Sequence, residues 1–412
     1  MQFREHRSDN GLQIVAECNA SAHSMALGFF VNTGARDESD DISGVSHFLE
    51  HMTFKGTPTR SAADVNRELD EIGSHANAFT SEEQTVYYAA VLPEYQDQVL
   101  DILSDIMRPS LRSEDFELEK QVILEEIAKY EDQPPFGATE KCMAAHFQTH
   151  PLGRNILGTA ESVGSLTPEQ MRSYFDQRYS PGNIVLVAAG NTDFDRLVDE
   201  TAKRCASWHP FEVGRETPRA TDHSDFSVMH KPSAIQQYAV QIASGPAASD
   251  PDRYAGRLLA TVLGDDSGSR FFWEFIDTGK AEYASLNAYE FQGTGVFMTF
   301  LCCTPDQIED NLKAVREILD DVHQNGIRED ELTRAKSKVC SHIVLQSERP
   351  ANRLFAVGAN WLQRHEYRTV RDVVEGYRAV TCDDITSLLQ KYPLTCNTTV
   401  AIGPRSNIPS PI

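Results

Sequence analysis

Apolar residues recur along the chain in two rhythms. Ala26-Leu-Gly-Phe-Phe-Val-Asn-Thr-Gly34 and Tyr238-Ala-Val-Gln-Ile-Ala-Ser-Gly245 are strand-like runs that end at glycine. Farther on, apolar residues return at helical spacing. Pro93 opens the stretch from Glu94 to Met107, and Pro305 opens the stretch from Asp306 to Leu319. Proline suits the first helical turn, where its missing N–H has no intrahelical partner to lose. Glu114-Asp115 and Glu329-Asp330 open further helical stretches. Ser165 to Met171 and Ala379 to Ile385 start a late helix, each followed by a β-rich run, Asn183 to Ala189 and Asn397 to Ile402.

Each later segment lies 211 to 215 positions after its earlier counterpart. A near-constant offset over successive elements marks an internal repeat. It predicts two related domains, 1–210 and 226–412, joined by the polar, aperiodic linker 211–225. Several strand pairs lack a helix long enough for a parallel crossover. The expected class is therefore α+β, with a mainly antiparallel sheet covered by helices in each domain.

Composition narrows the partners. The chain has 412 residues, 40% hydrophobic and 24% charged, which is enough material for sizeable cores. Asp and Glu total 61 against 38 for Lys and Arg, a net charge of −23. That balance argues against nucleic acid or an anionic membrane as the main partner. Charge breaks every apolar run before the ~18 residues a membrane span needs. The first ten residues have no apolar core of a secretory signal. Eight scattered cysteines without a CxxC pair read as reduced, mostly buried thiols. Together these features predict a cytoplasmic protein.

The strongest chemical pattern is His47-Phe-Leu-Glu50-His51. Val45, Phe48, Leu49 and Met52 supply an apolar helical face. On that helix His47 and His51 stand one turn apart, a spacing at which two imidazoles bind one zinc ion. Glu50 lies beside the metal without needing to ligate it, as a general base should. A catalytic zinc needs a third protein ligand and an open position. The segment from Phe116 to Ile127 supplies carboxylates: Phe116, Val122, Ile123 and Ile127 repeat at helical spacing, and Glu119 and Glu126 are two turns apart on nearly one face. One of the two can ligate while the other supports it. Glu125 points elsewhere into solvent. The acidic loop from Arg36 to Asp41, just before the histidines, reads as solvated.

These residues carry a resemblance. The run from His47 to Thr57 is similar to the inverted zinc motif of the pitrilysin and mitochondrial-processing-peptidase family, the inverzincins. Val122-Ile-Leu-Glu-Glu126 matches that family's third-ligand helix, which implies Glu126 as ligand and Glu119 as auxiliary carboxylate. The similarity continues through Gly73 to Thr80, Pro151 to Thr159 and Tyr179 to Val187. It implies a zinc endopeptidase for short or unfolded peptides, with one Zn2+ per chain. It implies that the alternating strand around Asn77, Ala78 and Phe79 pairs with the substrate backbone at a sheet edge. In the second half, Ser269 to Tyr283 resembles the family's arginine–tyrosine segment, so Arg270 and Tyr283 are implied to hold substrate carbonyls. Ile276 departs from the arginine usual there, and Ala281-Glu282 departs from Leu-Ala. The second half has no HxxEH, so no metal is expected at its matching position.

Two domains per chain resemble the half-length members, which pair into four-domain chambers. That implies a homodimer, with a heterodimer as the alternative. A second reading of the whole chain is a non-catalytic structural or regulatory subunit of a heteromeric peptidase. Such a subunit would be expected to lack a ligand or the base, and here His47, Glu50, His51 and Glu126 are all present.

Overall fold

The computed structural model describes residues 1–410. Among them eleven strands form two sheets. The first sheet holds β1 Gln2–Arg7, β2 Gln13–Cys18, β3 Met25–Val31, β4 His75–Thr80, β5 Thr85–Val91 and β6 Ile184–Gly190. The second holds β7 Asp225–His230, β8 Gln237–Gly245, β9 Tyr283–Glu290, β10 Gly295–Cys303 and β11 Asn397–Gly403. The strand orders are β1-β2-β6-β3-β5-β4 and β7-β11-β8-β10-β9. Each sheet has one parallel pair, β2 with β6 and β7 with β11, and is otherwise antiparallel. Read from β2 and from β7, the two orders are the same, so the repeat in sequence is a repeat in topology. The α+β expectation holds, and β1 is an added hairpin strand on the first sheet.

The helices also form where the periodicity places them. Proline opens a short 3-10 turn before Gln96–Ile106 and before Ile308–Asn325. The late helices Pro168–Arg178 and Cys382–Lys391 start at Thr167 and Thr381, each in a reciprocal capping box with the residue three on.

β3 and β6 are buried along their whole length, and β8 nearly so. Such strands read as continuous apolar runs because both faces of the sheet are covered. In the first sheet, Leu27, Phe29 and Leu186 face a core that includes Phe48 and Phe116. Ala26, Phe30 and Val187 face the other way, against Leu354 and Val357 of helix Pro350–Arg364. In the second sheet, Ala239, Leu286 and Phe297 pack with Leu258 and Leu312. Val240, Ile242 and Met298 face Cys142, Met143 and Phe147 of helix Ala138–Phe147.

Each sheet thus receives one covering helix from the other half of the sequence. The compact units are accordingly discontinuous: 1–129, 154–215 and 345–368 in one, and 130–153, 216–344 and 369–412 in the other. The division at 210 and 226 follows the repeat along the chain, whereas packing trades a helix in each direction. Within the linker, Ser180 Oγ donates to Phe211 O at 2.7 Å and Arg215 Nε donates to Asp37 at 2.9 Å, which fastens its first part to the first unit.

Candidate metal centre

Helix Val45–Thr53 carries both histidines. Gly44 precedes it at φ +92°, where a Cβ would lie 2.6 Å from Leu157 O, so glycine is required. The exposed amides of the first turn are satisfied from outside the helix. Glu38 accepts from Gly44 N and from Ser46 N, both at 2.7 Å. Val45, Phe48, Leu49 and Met52 face the core as expected. The Phe48 ring stacks on Phe116 with centroids 4.5 Å apart. That stack joins the histidine helix to helix Ser113–Asp132 and sets the two carboxylates opposite the imidazoles.

Three ligand atoms converge. Glu126 Oε2 lies 3.8 Å from His47 Nε2 and 3.8 Å from His51 Nε2, and the three candidate ligand atoms all lie within 4.8 Å of one another. A tetrahedral zinc with bonds of about 2.0–2.2 Å sets neighbouring ligand atoms roughly 3.3 Å apart, so this donor set fits after a small closure. Two imidazole nitrogens and one carboxylate oxygen also leave a fourth position open. Glu119 does not reach that point. Its Oε1 meets His51 Nδ1 at 2.9 Å, which aims the free Nε2 of His51 at the ligand position. His47 Nδ1 is buried with no hydrogen-bond partner among the described residues, so the chain fixes only one of the two ring orientations in this way.

The electrostatics suit ligation and base chemistry. Burial, reinforced by the neighbouring His51, pushes His47 down to about 4, so it is a neutral imidazole at pH 7. Burial raises Glu50 above the usual carboxylate range, and Glu126 adds to the rise. A hydrogen bond from Thr80 and the nearby His51 pull it back. A raised carboxyl is better matched to a proton transfer near neutrality than an ordinary glutamate.

Two family models match the chain. The family described as insulinase, peptidase family M16, matches residues 13–160, and the peptidase M16 inactive domain matches residues 165–339. The chain belongs to peptidase family M16. An uncharacterized zinc protease of Mycobacterium tuberculosis is 31% identical to it over 385 residues, covering 92% of this chain and 88% of the relative. A probable mitochondrial-processing peptidase subunit beta of Arabidopsis thaliana is 28% identical, over 97% of this chain and 78% of the relative. The crystal structure of a protease from Helicobacter pylori has the same fold, with a TM-score of 0.91 at 21% identity over 97% of this chain and 99% of that one.

In the M16 chain the other expected residues fall as follows. Asn77, Ala78 and Phe79 lie on β4, which is an edge strand of the first sheet, as its alternation predicts. Ala76 and Ala78 pack toward the core beneath the histidine helix, and Thr80 on the same face donates to Glu50 Oε2 at 2.7 Å. Phe79 turns to the opposite face, where its ring sits 5.9 Å from Phe355. Asn77 is exposed, and its Oδ1 accepts from Ala78 N at 2.9 Å. Arg270 and Tyr283 belong to the second unit. Every nitrogen of the Arg270 guanidinium is engaged: Nε and Nη2 donate to Glu331 at 3.0 and 3.1 Å, Nη1 to Asp321 at 2.8 Å, and Nη2 also to Gly326 O at 3.1 Å. Tyr283 opens the edge strand β9 and is 46% exposed.

Two expectations need correction. Val122 does not share the buried stripe of Phe116, Ile123 and Ile127 but faces outward, 47% exposed. The Arg36–Asp41 loop is solvated only at its end. Arg36 and Glu38 are buried, and Asp37 pairs with Arg178 at 2.6 Å and with Arg215. The loop is a buried cap on the histidine helix, which its density of charge conceals. Thr80, and Lys55 with its ammonium 2.5 Å from Glu119 Oε2, also escaped sequence reasoning, since each meets a residue far away in the chain. The one available signal was the alternation of β4, which puts Thr80 on the face of the two small alanines.

Proposed function

We propose that this M16 chain is a zinc-dependent endopeptidase that hydrolyses short or unfolded peptides, with His47, His51 and Glu126 holding one Zn2+ per chain. The convergence of these three donors beside Glu50 carries the reading. A bound zinc would supply Lewis-acid chemistry, polarising a carbonyl oxygen and acidifying water. Glu50 is the base that takes the proton of the attacking water and then delivers it to the leaving amine. The Thr80 hydroxyl orients the Glu50 carboxylate for both transfers. Glu119 keeps His51 turned toward the ligand position. The free edge of β4 selects extended peptides by backbone pairing, with Ala78 contributing main-chain groups and Asn77 and Phe79 flanking them.

Arg270 and Tyr283 are assigned to substrate carbonyls in a two-subunit chamber, in which each serves the metal of the paired chain. The homodimer is the simplest such assembly, because one chain carries both the metal donors and the Arg/Tyr pair. The second reading, a non-catalytic subunit of a heteromeric peptidase, is favoured by one observation: the Arg270 guanidinium is already committed to Glu331 and Asp321.

The test is cleavage of a quenched fluorescent peptide library by the purified protein, with Glu50→Gln beside it. The wild type should cut, a chelator should stop it, and Glu50→Gln should keep its metal while losing turnover by several orders of magnitude. Metal-loaded wild type that cuts nothing would favour the subunit reading.

A further inference from the structure

Glu119 is a bridge with both ends tied. Its side chain is only 7% exposed, with Oε1 at His51 Nδ1 and Oε2 2.5 Å from the ammonium of Lys55. The position of Lys55 is itself built. Its N–H donates to Met52 O at 3.2 Å at the end of the histidine helix. Its carbonyl accepts from Arg112 Nη2 at 2.7 Å, just before the helix that bears Glu119. The next residue, Gly56, has φ +117°, and a Cβ there would stand 2.9 Å from Arg60 O. That left-handed turn is one that few residues other than glycine adopt, and it holds the chain at Lys55 in place.

We propose that Lys55 is a positioning residue of the metal centre, pinning Glu119 so that Glu119 in turn holds the His51 ring for ligation. The proposal rests on the metal reading above. A carboxylate anchored at one oxygen can rotate about its terminal torsion. Anchored at both, it presents a fixed acceptor to His51. Removing the ammonium leaves a buried oxygen without its partner, and the carboxylate turns to find another. The pair matters through orientation more than through stability, because Lys55 itself is 37% exposed and a half-exposed ion pair adds little to folding.

The test is zinc affinity rather than turnover. Metal-free wild type, Lys55→Met, Lys55→Arg, Glu119→Gln and the Lys55→Met/Glu119→Gln double variant are titrated with Zn2+ against a chromophoric chelator. Outer partners of a metal-bound histidine are typically worth ~10- to 100-fold in affinity. Lys55→Met should therefore weaken zinc about tenfold or more, and Lys55→Arg should recover most of the loss. The double variant should be no weaker than Glu119→Gln alone, since Lys55 acts through Glu119. The proposal is overturned if Lys55→Met binds zinc as the wild type does, or if the two losses add in full. It is also overturned if the metal-free Lys55→Met melts at a lower temperature by an amount that accounts for its lost affinity. A wild type that binds no zinc overturns the metal reading itself, and the role of Lys55 with it.

Discussion

Thr80 Oγ1 donates to Glu50 Oε2 at 2.7 Å, which links the edge strand β4 to the proposed base on helix Val45–Thr53. This single bond also lowers the Glu50 carboxyl against its burial. Thr80→Val keeps the shape and removes the donor. It should lower kcat about tenfold, the scale of a general-base contribution partly lost, with metal content unchanged. Because Glu50 then rises further and must be ionised to act, the acid limb of the pH–rate profile should move to higher pH. A profile of kcat against pH for both proteins reads the two effects together.

Glu17 and Arg353 form a buried ion pair that fastens helix Pro350–Arg364 to β2. Arg353 Nε donates to Glu17 Oε1 at 2.8 Å, and Tyr367 Oη donates to Oε2 at 2.7 Å. Burial alone would raise the Glu17 carboxyl; Arg353 and Tyr367 reverse that and hold it below the ordinary glutamate value of 4.5. The stability from this group is therefore present above pH 4.5 and lost as pH falls through its lower folded value. Arg353→Met leaves the carboxylate buried and unpaired and should cost about 3–5 kcal/mol in urea unfolding at pH 7. The gap between variant and wild type should narrow in the same measurement at pH 3.

Gly358 sits in that same helix, facing Phe30. A Cβ added there would lie 2.4 Å from Phe30 Cε1. Alanine in place of glycine gains at most ~1 kcal/mol of helix propensity. Overpacking a filled core costs about 1–3 kcal/mol. Gly358→Ala should therefore lower the unfolding midpoint, where propensity alone would raise it, and the paired variant Gly358→Ala/Phe30→Leu should recover part of the loss.

Glu38 caps the histidine helix from a fully buried position, and burial pushes its carboxyl up to about 8 against the pull of the Ser46 and Gly44 amides. A folded value above the ordinary one means that the native state binds the extra proton. Stability from this group accordingly falls as pH rises from 4.5 to about 8 and is level above that. Glu38→Gln should remove this slope from a plot of unfolding free energy against pH. An unchanged slope would show that the carboxyl is not the group responsible.

The candidate metal donors and the candidate base were legible in the chain because their pattern is written locally. His47, Glu50 and His51 fall within two helical turns, and helix geometry converts their spacing into one face. Glu119 and Glu126 were legible as a pair on one face, yet spacing alone did not say which would ligate. The structure separates them by what each meets: Glu126 lies near both Nε2 atoms, whereas Glu119 is drawn to His51 Nδ1 and Lys55. Phe79 shows the opposite case. An aromatic on an edge strand can wall a pocket or pack in a core, and its sequence leaves both open; in the structure its ring lies on the face away from the histidine helix, 5.9 Å from Phe355, 276 positions later in the chain.

The sequence by itself determined the doubled α+β plan, the strands and helices in order, and the zinc-type donor set. Each depends on periodicity or spacing within a few turns of chain. The tertiary structure alone decided that each sheet is covered by a helix from the other half, that a charged loop is a buried cap, and that Lys55 meets Glu119, Glu119 meets His51 and Thr80 meets Glu50. These depend on which surfaces meet across tens to hundreds of residues. Packing settles that by filling both faces of a sheet and by giving buried polar groups partners distant in the chain, and no local pattern records it.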